Sequence, residues 1–204
     1  MDQSACPEVA EAVEAAPYPV EVLPADPARA SACLADLEIT TRSWLGAVVA
    51  NTGGLLIDHG WLRVLGSGHG GLPDVPGESD PARGVVVVGY DVLGGQFVWS
   101  PPQPGARPTI HYFGPDDLGW LDLEQGYADW LYAVLAGSLT RFYDTLRWPG
   151  WQAEVAALAP DQGFSAWPPP FTKEGKDLSV VSRKAVSLTE AVSFYQDAAR
   201  QFGS

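Results

Sequence analysis

The β-rich part of the chain begins at residues 55–65, which read LLIDHGWLRVL. Apolar residues stand on both sides of the triplet Asp58-His59-Gly60, which is polar and ends in glycine. Short apolar segments separated by turn-forming residues pair as antiparallel strands. This stretch therefore predicts a β-hairpin.

Further strands are predicted downstream. Residues 85–88 are four consecutive valines, which is typical of a strand buried on both faces. A turn that contains Gly94 and Gly95 leads to a strand at 96–99, and another strand is predicted at 109–113. With the hairpin, these segments predict a mostly antiparallel sheet of about five strands.

Helical patterns lie on both sides of this region. Asp26-Pro27 predicts a helix start, and residues 43–50 predict a second helix that ends at Gly53-Gly54 in a left-handed cap. After the strands, apolar spacing of three to four residues and a capping box at Ser187 predict further helices. The order predicts an α+β fold with flanking helices and a C-terminal helical extension.

The chain divides into three predicted parts. Residues 1–24 are rich in Ala, Glu and Pro, and we interpret them as a weakly ordered lead-in. Residues 25–159 form the α+β domain, and residues 160–204 form a loop plus a helix that packs on the domain. The order of residues 160–186 and the oligomeric state stay open.

Compartment and charge limit the classes of partner. The chain has no apolar run long enough to span a membrane and no basic segment before such a run, so we expect a cytoplasmic protein.

With 25 acidic and 12 basic side chains, its net charge is −13. This charge argues against binding to nucleic acid or to an anionic membrane surface, because both require Lys and Arg. Basic proteins and cations fit it as partners.

The glycine-rich segment 66–71, GSGHGG, matches the G-x-G-x-x-G pattern of dinucleotide sites. That pattern binds phosphate only where a helix follows at once, and Pro73 and Pro76 oppose such a helix. We interpret the segment as a surface loop and predict no cofactor.

The three histidines, His59, His69 and His111, lack the close pairwise spacing of typical zinc ligands. We predict no metal and no catalytic residue. The alternative is a metal-dependent or small-ligand-binding enzyme in which these three imidazoles and Asp58 converge on one pocket.

A partner-binding site is predicted around the hairpin. Alternation along its second strand places Trp61 and Arg63 on one face, and exposed Trp and Arg are typical of binding hot spots. A competing interpretation covers Trp61 with the C-terminal helices. The candidate residues are Asp58, His59, Trp61, Arg63 and His69.

Two resemblances are visible in the sequence. Segments 51–56, 86–97 and 127–131, with Tyr112, are similar to the SUKH (Smi/Knr-like) superfamily over about residues 43–137. Segments 60–68, 91–95 and 147–151 resemble a bacterial family, the domain of unknown function 2625, over nearly the whole chain.

The SUKH resemblance implies helices packed on a mostly antiparallel sheet and a non-enzymatic role. Many members of that superfamily are immunity proteins that neutralise toxins of interbacterial competition, and fungal members are regulatory interaction modules. The resemblance supplies no catalytic residues. From it we expect a protein-binding module whose partner is a basic protein such as a toxin.

Overall fold

The computed structural model describes residues 4–202. Its centre is a seven-stranded antiparallel sheet in which every strand pairs with the next one along the chain. The strands are β1 (Val20–Pro24), β2 (Thr52–Ile57), β3 (Leu62–Leu65), β4 (Val86–Asp91), β5 (Gln96–Ser100), β6 (Thr109–Phe113) and β7 (Trp120–Asp122). The α+β class and the antiparallel sheet are confirmed, but the sheet has two more strands than the sequence predicted.

Eight α-helices and a second, two-stranded sheet surround this meander within the described residues. The helices are α1 (Cys6–Glu14), α2 (Pro27–Asp36), α3 (Trp44–Asn51), α4 (Val75–Glu78), α5 (Tyr127–Ala133), α6 (Leu139–Phe142), α7 (Trp151–Ala156) and α8 (Leu188–Phe202). A π-helical turn, Val134–Ser138, joins α5 to α6, and a 3₁₀ turn, Pro81–Arg83, precedes β4. The second sheet pairs β8 (Gln162–Trp167) with β9 (Ser182–Ser187).

Three predicted helix starts are confirmed by their caps. The Asp26 carboxylate accepts a hydrogen bond from the backbone N–H of Arg29 at 2.9 Å. The Ser43 hydroxyl accepts one from Gly46 at 3.0 Å, and Ser187 accepts one from Glu190 at 3.1 Å. Each cap satisfies a backbone donor that the first helical turn leaves free.

The prediction of a weakly ordered lead-in was wrong for the described part of residues 1–24, and residues 1–3 lie outside the described residues. Helix α1 buries Val9, and strand β1 buries Leu23 while pairing with β2. The short, proline-flanked strand β1 has little pattern of its own. Its pairing partner β2 lies about thirty residues away, and local sequence does not report that contact.

The loop predicted to begin at residue 160 was also wrong in part, because this segment contains β8. Strands β8 and β9 are separated by fourteen residues, far longer than a hairpin turn, so spacing alone gave no signal. Phe164 and Val186 are buried on this hairpin. Of the predicted C-terminal part, residues 203–204 lie outside the described residues.

The two glycine pairs have different roles. Gly94 has φ +88° in the β4–β5 turn, as that predicted turn requires. Gly53 and Gly54 do not cap α3, because the helix passes directly into β2 at Thr52. A Cβ at Gly53 would lie 2.5 Å from Cβ of His69, so this position needs glycine for close approach to the glycine-rich loop.

The two faces of the large sheet carry different layers. Phe97 of β5 packs on Trp130 of α5 at 5.2 Å between ring centroids, which defines the helical face. The neighbouring residue Gln96 points the other way and accepts a hydrogen bond from Gln196 of α8 at 3.3 Å, which defines the C-terminal face. Successive residues of one strand thus serve opposite layers.

A buried carboxylate, Asp91, ties these elements together at the end of β4. Oδ1 accepts hydrogen bonds from the backbone N–H groups of Leu93 and Gly95, at 2.8 and 2.9 Å. Oδ2 accepts hydrogen bonds from the hydroxyls of Tyr112 and Tyr143, at 2.8 and 3.0 Å. Burial raises the pKa of the Asp91 carboxyl, and these donated bonds oppose that rise.

No helix within residues 4–202 combines the length and the apolar character needed to cross a bilayer.

We expect Asp91→Asn to lower the free energy of unfolding by roughly 2–4 kcal/mol. Each Asp91 oxygen accepts two hydrogen bonds, and an amide NH₂ in the place of either oxygen cannot accept them. Urea unfolding measures the change. Asp36→Asn is the matched control, since it removes the same charge from an exposed helix end and should change stability by less than about 0.5 kcal/mol. Equal effects for both variants would contradict the assigned role of Asp91.

Candidate protein-binding surface

The turn of the β2–β3 hairpin is anchored by a buried ion pair. Asp58 is 4% exposed, and its carboxylate lies 2.5 Å from the guanidinium of Arg147. That guanidinium also lies over the ring of Trp151 at 4.3 Å and over Trp61 at 5.1 Å. Asp58 therefore joins the hairpin to the helical segment that follows the sheet.

Trp61 is fully buried. Its ring contacts three others, at centroid distances of 5.4 Å to Tyr143, 5.6 Å to Trp148 and 5.1 Å to Trp151. This confirms the interpretation in which the C-terminal helical part covers Trp61. An exposed Trp61 at a binding surface was the wrong expectation, since the aromatic extension supplies the apolar contacts that a partner would otherwise provide.

Arg63 is also buried, at 1% exposed, and this corrects its placement on a binding surface. Its guanidinium donates hydrogen bonds to the backbone carbonyls of Gly60 and Pro160. Burial lowers the pKa of Arg63 to about 10, partly offset by Asp91 and Asp161. Arg63 thus fastens the C-terminal segment to the sheet.

The remaining predicted residues, His59 and His69, are half-buried and lie in different elements. His59, in the hairpin turn, packs edge to face on Trp151, with 5.7 Å between the ring centroids. With Arg63 it lines a small cleft of about 210 Å³. His69 lies in the glycine-rich loop, where its backbone pairs with that of Leu72. The five predicted residues therefore do not form one exposed surface.

His111 lies on β6, three strands from β3, with its Nε2 atom 3.2 Å from the hydroxyl of Thr109. In the portion of the chain the structure describes, no group of three or more His, Cys, Asp or Glu side chains could hold a metal ion. The convergence of His59, His69 and His111 required by the enzymatic alternative is not present.

Sequence reasoning missed a groove on the C-terminal face of the sheet, near its β7 edge. This open groove has a volume of about 450 Å³. Buried Val87 and Val98 are paired across β4 and β5 and contribute apolar surface to it. Its lining residues are Glu78, Val85, Val87, Gln96, Val98, Ser100, His111 and Trp120.

The edge strand β7 contributes the exposed aromatic residue Trp120 to the groove. Trp120 is 54% exposed, and its neighbour Leu121, which pairs with Tyr112 and faces the other side of the sheet, is 55% exposed. Trp120 is supported by Phe113 at 5.4 Å between ring centroids. A partly supported, exposed Trp at a sheet edge is a typical anchor for a protein partner.

The groove is acidic. Glu78 lines it and accepts a hydrogen bond from Tyr90, whose pKa is raised by burial and further by this bond. Asp122 pairs with His111 across β6 and β7, and a hydrogen bond from the backbone N–H of Glu124 lowers the pKa of the Asp122 carboxyl. None of the described residues that line the groove is a Lys or an Arg.

A three-residue strand shows no periodicity, so no local pattern marks β7 as a strand. The available signal was Trp120-Leu121, an apolar pair between Gly119 and Asp122 in an otherwise polar stretch.

Comparison with known proteins identifies the family. A family model described as "Protein of unknown function DUF2625" matches residues 1–191. The chain belongs to the DUF2625 family. This confirms the more specific of the two resemblances seen in the sequence.

Two bacterial relatives are similar to this DUF2625 chain over most of their length. The uncharacterized protein YbfG of Escherichia coli (strain K12) is 35% identical over 195 residues, which cover 93% of this chain and 89% of YbfG. An uncharacterized protein of Haemophilus influenzae (strain ATCC 51907 / DSM 11121 / KW20 / Rd) is 36% identical over 154 residues, covering 71% and 68% of the two chains. No solved structure matches this DUF2625 chain significantly.

We expect Arg147→Met to destabilise this DUF2625 protein by about 3–5 kcal/mol, because it leaves the Asp58 carboxylate buried without its partner. Chemical denaturation measures the loss. Adding Asp58→Asn to Arg147→Met should recover part of it.

Arg83→Met is the control, because Arg83 pairs with Asp80 where both side chains are exposed. It should cost no more than about 1 kcal/mol. Strictly additive effects of the Asp58 and Arg147 substitutions would show that the two side chains are not coupled.

Proposed function

We propose that this protein is a non-enzymatic protein-binding module, immunity-like or regulatory, and that its partner is a basic protein that docks on the open groove. The observation that carries the proposal is Trp120, an exposed aromatic residue on the edge strand beside an acidic, partly apolar groove. The partner would meet it in the cytoplasm.

The groove supports this proposal through its shape and its position at a sheet edge. Val87 and Val98 offer apolar contact, and Trp120 offers a large apolar side chain that lies in solvent. Beside them, β7 presents backbone groups on its outer side that a partner strand can pair with. Apolar anchors next to free backbone groups suit an extended segment of a protein better than a small polar ligand.

Charge supports a basic partner. The chain carries a net charge of −13, Glu78 lines the groove, and Asp122 lies opposite the lining residue His111 in the sheet. An acidic surface raises the association rate of a basic protein by one to three orders of magnitude at low salt. A basic toxin is the kind of partner for which such a surface is suited.

The similarity to the SUKH superfamily is part of this proposal. Members of that superfamily act by binding other proteins, and the similarity extends over about residues 43–137, which include β4, β5, β6 and β7. The elements of the open groove therefore fall within the similar region.

The enzymatic alternative has weaker support. It requires His59, His69 and His111 in one pocket, whereas these residues lie in a hairpin turn, in a loop and on β6.

Replacing Trp120 by Ala should weaken partner binding by at least about tenfold, as expected for an anchor residue. The immobilised chain first captures proteins from an extract of its own host cells at low salt. A captured protein is then identified and purified, and its affinity is titrated against each variant. We expect a partner with positive net charge whose affinity falls as salt rises.

Tyr132→Ala is the matched control, since Tyr132 is an equally exposed aromatic residue on α5. It should bind like the unaltered chain, and both variants should unfold at a similar temperature. A partner that binds Trp120→Ala as tightly as the unaltered chain would refute the groove as the binding site.

A further inference from the structure

A second cleft opens on the helical face, on the opposite side of β5 from the open groove. Phe97 lines this cleft, whereas its neighbours Gln96 and Val98 line the groove. The cleft has a volume of about 350 Å³. Its walls include the rings of Trp130 and Phe142, at 5.2 and 6.1 Å from Phe97 between centroids.

The cleft owes its shape to the irregular helix that borders it. Between α5 and α6 the chain makes a π-helical turn, Val134–Ser138, in which Gly137 has φ +108°. The hydroxyl of Tyr18 donates a hydrogen bond to the carbonyl of Val134, so the turn is held by a residue from outside the helix. Such π-helical turns occur frequently at functional sites, because they displace side chains from the regular helical positions.

One cation, Arg141, lines this mostly apolar cleft. Arg141 is exposed on α6, and within residues 4–202 its guanidinium has neither an ion pair nor a hydrogen bond. Ser138 and Gln125 add polar groups. A free guanidinium beside an apolar cleft is notable in a chain of net charge −13, where carboxylates outnumber basic side chains two to one.

We propose that this cleft binds a small aromatic carboxylate. Its ring would pack among Phe97, Trp130 and Phe142, and its carboxylate would accept paired hydrogen bonds from Arg141. A cavity of about 150 Å³ holds benzene, so this cleft has room for a ring and a short acidic arm. The inference goes beyond the proposed function, because the cleft and the groove lie on opposite faces of the sheet.

The test titrates the full chain with 4-fluorophenylacetate and with its neutral analogue 4-fluorophenylacetamide, and follows both by ¹⁹F NMR. We expect the acid to bind the unaltered chain at least about tenfold more tightly than the amide does. Arg141→Gln should weaken acid binding by about tenfold and leave amide binding unchanged. Arg107→Gln is the control, because Arg107 is exposed on a separate loop and its loss changes the net charge equally.

A second variant tests the location. Ala133→Leu fills space in the cleft without touching Arg141, and it should weaken both the acid and the amide. The proposal is overturned if the unaltered chain binds neither probe, if it binds both with equal affinity, or if Arg107→Gln weakens the acid as much as Arg141→Gln does. It is also overturned if Ala133→Leu leaves both affinities unchanged while its fold is intact.

Discussion

The fold depends on the hydrogen bonding of one buried carboxylate, Asp91. A charged group without water is stable only where several donors surround it, and here two backbone N–H groups and two tyrosine hydroxyls do so. These donors come from the β4–β5 turn, from β6 and from the segment after α6. Tyr112 and Tyr143 have pKa values raised by burial and by the Asp91 charge, so both hydroxyls stay protonated and able to donate. Through these bonds the carboxylate fixes the register of β5 against β4 and β6. Through Tyr143 it also fixes the position of the helical layer on the sheet. Gly95 completes the arrangement, because a Cβ there would lie 2.1 Å from Oδ2 of Asp91.

Fixing β5 matters because this strand serves both candidate sites. Phe97 points into the helical layer and borders the cleft that contains Arg141, while Gln96 and Val98 point to the C-terminal face and border the open groove. A shift of one residue in register would exchange these two sets of side chains. The two sites therefore rest on the same hydrogen bonds even though they face opposite directions, and a ligand in one lies about the thickness of a sheet from a ligand in the other.

The sequence predicted most elements that have a local signature. Caps at Asp26, Ser43 and Ser187 marked helix starts, and the turns at residues 58–60 and 94–95 marked hairpins. It missed the helices α1 and α4, the second of which starts with Pro76 in its first turn, where proline is tolerated. The strands it missed, β1, β7, β8 and β9, are short or have distant partners, so their strand character comes from pairing and not from composition. The candidate site failed for a related reason. Trp and Arg mark binding surfaces and tightly packed interiors alike, and only the position of the C-terminal extension decides between the two for Trp61 and Arg63.

The balance of charges inside the molecule decides how much of the net charge the exterior carries. Arg63 and Arg147 make their contacts inside the molecule. Arg63 donates hydrogen bonds to backbone carbonyls, and Arg147 pairs with Asp58 and lies over aromatic rings. Arg183 is held in the same way, over the ring of Trp148 and against Glu154. Of these three cations, only Arg147 and Arg183 have carboxylate partners, and of the two carboxylates Asp58 is buried while Glu154 is partly exposed. Asp91 is buried as well, so the two buried carboxylates, Asp58 and Asp91, balance the charges of Arg63 and Arg147, and the exterior keeps the net charge of −13. A basic partner would therefore meet the full negative charge at the surface, and Arg141, which is exposed and has no ion pair within residues 4–202, is a local exception that can attract an anion.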